Sequence, residues 1–331
     1  MANRIHNGSE IERADAGAGD AAVVLLAEPQ DVRLSRLSLE EPTGDDVVVD
    51  VAWSGISTGT ERMLWAGTMP DFPGLSYPLV PGYESVGEVV WAGDGSGLTP
   101  GETVFVPGAR CHRGAAALFG GASSRLVVPG PRAIAIPAEW GERGILLALA
   151  ATAHHALAPD NAEPPELIVG HGVLGRLMAR LTLALGHPAP TVWERDEVRR
   201  GGAQGYDVVT AEADDRTDYR GIYDVSGDNA VLDRLIERAA RGAEIVLAGF
   251  YGAPIQFAFP PAFMREARIR IAAEFTAADM EAVSALVRDG RLSLDGLVTH
   301  ALPATEAANA YATAFGDPAC LKMILDWRNA R

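Results

Sequence analysis

The hexapeptide Gly170-His-Gly-Val-Leu-Gly175 follows the apolar run Glu166-Leu-Ile-Val and opens an amphipathic stretch. A Gly-x-Gly-x-x-Gly spacing carries chemistry in that setting, at the turn from a buried strand into a helix. Gly170 is expected to make the tight turn, Gly172 to let the backbone approach a pyrophosphate, and Gly175 to allow close helix–strand packing. The helix N-terminus at Val173 and Leu174 then faces the phosphates with its unpaired N–H groups. Glu194 ends the next apolar run, nineteen residues after Gly175. A carboxylate there accepts from both ribose hydroxyls of NAD and repels a 2′-phosphate, so NAD is the expected cofactor. Arg195, Arg199 and Arg200 follow closely and leave NADP as the alternative. His171 either caps a phosphate, shields the nicotinamide or fills a variable position. Ser226 and Gly249-Phe250 lie at further strand ends, which in an open α/β sheet face the ligand crevice.

The elements that position this loop are legible in the pattern of the chain. Before about Gly141, short β-like runs (AAVVLLA, DVVVDVAW, VGEVVWAG, ETVFVP, SRLVVP) are punctuated by turns, with no helix of useful length expected. That spacing suits a partly open β-barrel. A nearly all-apolar helix is expected from Glu142 to Ala158, and strands then alternate with helices: ELIVG, VLGRLMARLTLALG, PTVWE, IYDVS, VLDRLIERAARG, EIVLAGF. Strand, helix, strand in that order predicts a parallel, doubly wound sheet. Two late helices, DMEAVSALVRDG and TEAANAYATAF, precede a last strand, LKMILDW. The expected division is a disordered extension over 1–20, a barrel-like unit over 21–145, a nucleotide-binding unit over 146–275, and a segment over 276–331 that returns to the first unit.

Composition limits the function classes. The 331 residues suffice for two domains and a sizeable core, and 48% apolar content is that of a globular chain. With 28 basic against 44 acidic residues the formal charge is −16, which argues against nucleic acid as a partner. Cys111 and Cys320 form no Cys-x-x-Cys pair and are expected as free thiols in a reducing compartment. No apolar run reaches the roughly 20 residues of a membrane span. Met1–Asp20 lacks the apolar core of a signal peptide, so a cytoplasmic protein is expected, not an integral membrane one.

Pro78–Gly87, PLVPGYESVG, resembles the PLVxGHExxG signature of the medium-chain dehydrogenase/reductase superfamily, and the resemblance extends from about Ala21 to the end. It implies an α/β protein: a Rossmann-type doubly wound parallel sheet beside a GroES-like β-barrel catalytic domain. It also implies three zinc ligands, at the residue after a Gly-Ile pair, at the His of the signature, and four residues before a Thr in the central helix. Those positions hold Ser57, Tyr83 and Ala148, the last counted from Thr152. A hydroxyl, a phenol and a methyl group are poor substitutes for thiolate and imidazole, so no catalytic zinc is expected. Two cysteines also cannot build the four-Cys structural zinc lobe of many members.

Further blocks narrow the resemblance. WSGISTGTERMLWAGTMPDFPGLSYPLVPGYESVGEVV, VFVPGARC, LFGGASSRLVVPG, LALAATAHHAL and FAFPPAFMREARIRIAAE look like a zinc-free branch that oxidises the 3-(1-hydroxyethyl) side chain of a bacteriochlorin to acetyl with NAD. Loss of hydride beside a macrocyclic π system is easier than from a simple alkanol, which lowers the demand for a Lewis acid. A base must still take the hydroxyl proton. Candidates are Tyr83, Glu84 and Ser57 at the old metal site, and His154 and His155 on the central helix, whose adjacent rings are expected to point in different directions. Thr152 joins the loop residues as a cofactor neighbour. For the substrate, a flat magnesium bacteriochlorin with a free propionate, Trp65, Phe72 and Tyr77 (with Met63 and Met69) offer aromatic and thioether surface. Arg62, Arg110 and Arg125 are candidates for the carboxylate, and His112 for an axial ligand of the magnesium. A quinone or alkene reductase and a non-catalytic tetrapyrrole carrier are the competing readings. A homo-oligomer is expected from the superfamily.

Overall fold

The computed structural model describes residues 19–159 and 161–330. The extension expected over 1–20 lies, except for its last two residues, outside the described residues. Strands β1 (Asp20–Glu28) and β2 (Asp31–Ser38) form a hairpin and lead into β3 (Asp46–Ile56). The short helix α1 (Thr60–Ala66) follows, in a block where no helix of useful length was expected. It is closed by Gly67 in the left-handed region (φ 69°) and buries Glu61 and Leu64, three residues apart on one face. Six strands complete the unit: β4 (Leu79–Pro81), β5 (Ser85–Ala92), β6 (Thr103–Val106), β7 (Ala116–Leu118), β8 (Arg125–Pro129) and β9 (Ile134–Ala135).

The expected apolar helix from Glu142 starts as a 3-10 segment, Ala138–Leu146, and becomes the α-helix α2 only over Leu147–Leu157. Gly141 and Gly144 explain the delay, since glycine is a poor α-helix former. Alternation then proceeds through β10 (Leu167–Val169), α3 (Val173–Ala184), β11 (Thr191–Trp193), α4 (Glu197–Arg200), β12 (Asp207–Val209), β13 (Tyr219–Asp224) and α5 (Leu232–Arg238). It ends with β14 (Ala239–Leu247), α6 (Phe259–Arg265), β15 (Arg268–Ile271) and α7 (Ala277–Arg288). The helix expected over VLDRLIERAARG stops at Arg238, because Ala239 already pairs with Tyr219 in the sheet. β16 (His300–Pro303), α8 (Ala307–Gly316) and β17 (Met323–Asp326) close the chain.

The second unit is a six-stranded sheet in the order β12-β11-β10-β13-β14-β15, parallel at every pairing. The order reverses between β10 and β13, so their C-terminal ends, at Val169 and Asp224, flank a topological switch point where such sheets bind ligands. The first unit has a four-stranded sheet, β2-β1-β4-β7, and a seven-stranded one in which β8 pairs with β3 beside the path β16-β17-β3-β5-β6-β9. α7 packs on α2, and the chain re-enters the first unit through β16 and β17, the latter antiparallel to β3. β3 is nearly continuously buried because β5, β8 and β17 all pair with it. Each fully buried Val, Leu or Ile of these strands contributes about 1.5–3 kcal/mol.

Candidate active site

In the dinucleotide loop, Gly170 has φ +105°, and a Cβ on Gly175 would lie 1.9 Å from the Gly170 carbonyl oxygen. The third glycine is therefore required by the helix–strand contact. A Cβ on Gly172, the N-cap of α3, would meet no atom within 4 Å, so that side of the loop is open to an approaching ligand. Glu194, buried at the end of β11, accepts from the His171 backbone N–H at 3.0 Å and from Asp196 N–H at 2.9 Å. These bonds orient the carboxylate and leave its remaining lone pairs for hydroxyl donors. The loop, the helix N-terminus and Glu194 fit a nicotinamide dinucleotide.

His171 corrects one expectation. Its ring is fully buried, with Nδ1 2.7 Å from the Arg199 carbonyl and Nε2 2.9 Å from the Tyr206 hydroxyl. Both nitrogens are engaged inside the fold, so the side chain neither caps a phosphate nor shields a nicotinamide; burial pushes the imidazole down to about 4 and keeps it neutral. Arg199 donates from Nε to the Pro318 carbonyl, whereas the Arg195 side chain is exposed. At the switch point Ser226 N–H and the Tyr251 hydroxyl hold the buried Asp224 carboxylate at 2.9 and 2.6 Å, and Gly249 N–H binds the Asp224 carbonyl at 3.1 Å.

At the positions of the superfamily's metal ligands, the Ser57 hydroxyl and the Tyr83 phenol hydrogen-bond to each other at 2.6 Å. With Ala148 buried and without a donor, this set does not fit a zinc ion. Tyr83 packs on the same buried cluster as Ala148, between the two units. Burial first, and then the charge of Glu84, pushes the phenol well above its usual range, so it is neutral at any physiological pH. Thr152 turns its hydroxyl back onto the Ala148 carbonyl at 2.9 Å.

Two groups that the sequence reading passed over complete the site. Lys322, immediately before β17, donates to Glu84 Oε2 at 2.7 Å, to Oε1 at 3.0 Å and to the Ile56 carbonyl at 3.3 Å, with both side chains out of contact with water. A Cβ on Gly55 would lie 2.1 Å from that same Glu84 oxygen, which is why glycine precedes Ile56. Glu61, 1% exposed, accepts from Ser57 N–H at 2.9 Å and from the Tyr311 hydroxyl at 2.6 Å. Burial raises its carboxyl to about 7, against the opposing effect of the Tyr311 bond. Lys322 had a signal in the sequence, being the only lysine of the chain. Glu61 had none, because its burial depends on α1 folding against α8.

His154 and His155 do not diverge. Their Nδ1 atoms sit on the two oxygens of one carboxylate, Asp279 Oδ1 and Oδ2, each at 2.8 Å. Asp279 also caps α7, accepting from Thr276 N–H at 2.8 Å and from its hydroxyl at 2.7 Å, and these bonds, with those from the histidines, hold its carboxyl well below the usual range despite burial. Adjacent residues converge here because the acceptor is a two-oxygen group placed between them.

The loop after α1 divides into support and surface. Trp65 packs on Phe315 at 5.5 Å between centroids, and the Tyr77 hydroxyl donates to the Leu64 carbonyl, so both are anchored to the barrel. Met69 is buried, and Met63 lies where a Cβ on Gly252 would meet its sulfur at 3.2 Å, joining the loop to the second unit. Phe72 is exposed and faces Phe119, a residue the sequence reading did not single out. Arg62 and Arg110 are exposed and make no ion pair among the described residues, whereas Arg125 is taken by Asp50 at 2.7 Å. His112 is buried with neither ring nitrogen hydrogen-bonded among the described residues, and burial pushes it down to about 4.

Residues 43–151 match the alcohol dehydrogenase GroES-like domain. Over 313 residues the chain is 56% identical to the 2-desacetyl-2-hydroxyethyl bacteriochlorophyllide A dehydrogenase of Rhodobacter capsulatus, covering 94% of this chain and 100% of that one. The chain belongs to this dehydrogenase family. The Cereibacter sphaeroides member is 56% identical over 310 residues, covering 92% and 98%. Among solved structures, the short chain alcohol dehydrogenase of Escherichia coli CFT073, determined with NADH, superposes with a TM-score of 0.78 at 20% identity, covering 93% of this chain and 99% of that one. That likeness is one of fold: the bacteriochlorophyllide dehydrogenase family is built on the two-unit scaffold of the medium-chain superfamily. Among the described residues no helix is long and apolar enough to cross a membrane.

Proposed function

We propose that the chain oxidises the 3-(1-hydroxyethyl) side chain of a bacteriochlorophyllide to the 3-acetyl group, with NAD as hydride acceptor. The observation that carries this reading is 56% identity along the whole length of a relative of that name. The site geometry supports it, with an intact dinucleotide loop beside a hydroxyl–phenol pair at the former metal positions. Bound NAD supplies the acceptor for the hydride. Glu194, oriented by two backbone N–H groups, favours the ribose diol of NAD over a 2′-phosphate.

The proton step falls to the hydroxyl chain. A phenol held neutral by burial does not act as a ready-made phenolate. It takes the alcohol proton as its own passes to Ser57 Oγ, whose own proton in turn leaves to water, the final acceptor. Glu84 is neutralised by Lys322 and holds the base of the site, while His154 and His155 lock α2 to α7 through Asp279. Phe72 offers an apolar face to the macrocycle, and Arg62 and Arg110 offer unpaired guanidiniums to its propionate.

An absorption time course of 3-(1-hydroxyethyl) bacteriochlorophyllide a with the protein, NAD or NADP, and a metal chelator tests the reading. The expected result is a red shift of the long-wavelength band, one NAD reduced per pigment, NAD preferred, and no effect of chelator. Pigment that binds but never changes makes the chain a carrier, and consumption of NADPH with simple quinones makes it a reductase.

A further inference from the structure

Phe119 stands between the buried and the exposed ends of the site. Its ring meets Tyr83 edge-on, at 5.5 Å between centroids and 88° between planes, and meets Phe72 at 6.5 Å and 77°. The three rings form a stepped series from the former metal position out to Phe72, which is 37% exposed. Phe119 itself is only partly buried, so part of its surface is left to solvent. Its backbone, by contrast, is held on both sides. Ala109 N–H donates to the Phe119 carbonyl at 2.9 Å, and Phe119 bridges to Pro81, two residues before Tyr83. A Cβ on Gly108 would lie 2.4 Å from the Phe119 carbonyl oxygen, and one on Gly120 would lie 1.9 Å from that of Ala109. Phe72, on an exposed Pro/Gly loop, has no such constraint.

We propose that Phe119 determines substrate specificity: it is the fixed wall on which the flat macrocycle lies, and it positions the Tyr83 phenol against the alcohol. This rests on the function proposed above. A ring with two torsions on a clamped backbone loses little conformational entropy when a planar ligand covers it, so the contact converts efficiently into affinity. Because the same ring braces Tyr83 edge-on, losing it loosens both the pigment and the proton-transfer group.

The test is Phe119→Leu, with Phe119→Met as an unbranched, more adaptable second variant should the first fail to fold, and Phe119→Tyr as the conservative one. Pigment dissociation constants are measured by absorption without cofactor, then kcat, KM and NAD affinity with it. Phe119→Leu or Phe119→Met is expected to weaken pigment binding roughly tenfold, equivalent to about 1.4 kcal/mol, and to lower kcat, with NAD affinity and unfolding midpoint unchanged. Phe119→Tyr is expected to restore most of the pigment affinity. Wild-type pigment affinity and kcat in a folded Leu or Met variant, or an equal loss of NAD affinity, overturns the proposal. A wild-type protein that binds pigment without oxidising it overturns the function proposed above and leaves the wall judged by affinity alone. A wild-type protein that does not bind pigment overturns both.

Discussion

Lys322 lies 2.7 Å from Glu84 with both side chains withdrawn from water, and it is the one lysine among the chain's 28 basic residues. The pair joins the residue that leads into β17 to the residue beside Tyr83. Burial pushes the Glu84 carboxyl up, and the ammonium opposes that shift. Breaking such a pair strands a charge, so Lys322→Met is expected to cost about 3–5 kcal/mol in urea unfolding. Lys322→Met combined with Glu84→Leu should cost less than Lys322→Met alone. A single-variant cost below about 1 kcal/mol would show that the carboxylate simply takes up a proton.

Tyr83→Phe removes the phenol and keeps the ring that packs on Phe119. It is expected to lower kcat by about 10²–10⁴-fold while leaving NAD affinity unchanged. Ser57→Ala removes the hydroxyl that partners the phenol and should also lower kcat with NAD affinity unchanged. His155→Ala should act on stability instead, because its ring serves Asp279. Wild-type turnover by Tyr83→Phe would move the proton step elsewhere.

Glu61 makes the stability of the protein depend on pH. Its carboxyl is raised to about 7 in the fold, against about 4.3 in an unfolded chain. A raised value means the folded state binds the proton more tightly. The resulting stabilisation is complete below about pH 4 and is lost as pH rises through 7, an amount on the order of 3 kcal/mol. Glu61→Gln lacks this dependence. Its unfolding free energy relative to wild type should therefore improve from pH 5 to pH 8, and a constant difference would mean that Glu61 stays ionised throughout.

Gly172 and Gly175 separate cofactor binding from folding. Gly172→Ala places its methyl in open space, so the protein should fold with an unchanged midpoint yet bind NAD at least tenfold more weakly where the pyrophosphate approaches. Gly175→Ala drives a methyl to 1.9 Å from the Gly170 carbonyl and should lower the unfolding midpoint as well. Calorimetry and NAD titration on both variants distinguish the two effects.

Glu194→Ser removes the carboxylate proposed to receive the ribose diol of NAD. The ratio of kcat/KM for NAD over NADP is expected to fall by at least about tenfold, and an unchanged ratio would place cofactor selection elsewhere.

The sequence by itself determined the two-unit architecture, the dinucleotide loop and the replacement of metal donors by Ser57, Tyr83 and Ala148. These are local properties: apolar periodicity, glycine spacing and the identity of a residue within a short motif. The single lysine of the chain was there to be noticed, but neither its burial nor its partner Glu84 could be read from its neighbours in the chain. Only the tertiary structure decided which groups meet. Glu61 and Tyr311 are 250 positions apart, Lys322 and Glu84 are 238 apart, and the two histidines find Asp279 more than 120 positions away. The direction of the His171 ring and the anchoring of Trp65 were likewise set by distant neighbours. The physical reason is that desolvation and hydrogen bonding act through space. A side chain's identity states what it can do, and the neighbours brought by the fold decide whether it becomes a base, a brace or a buried charge.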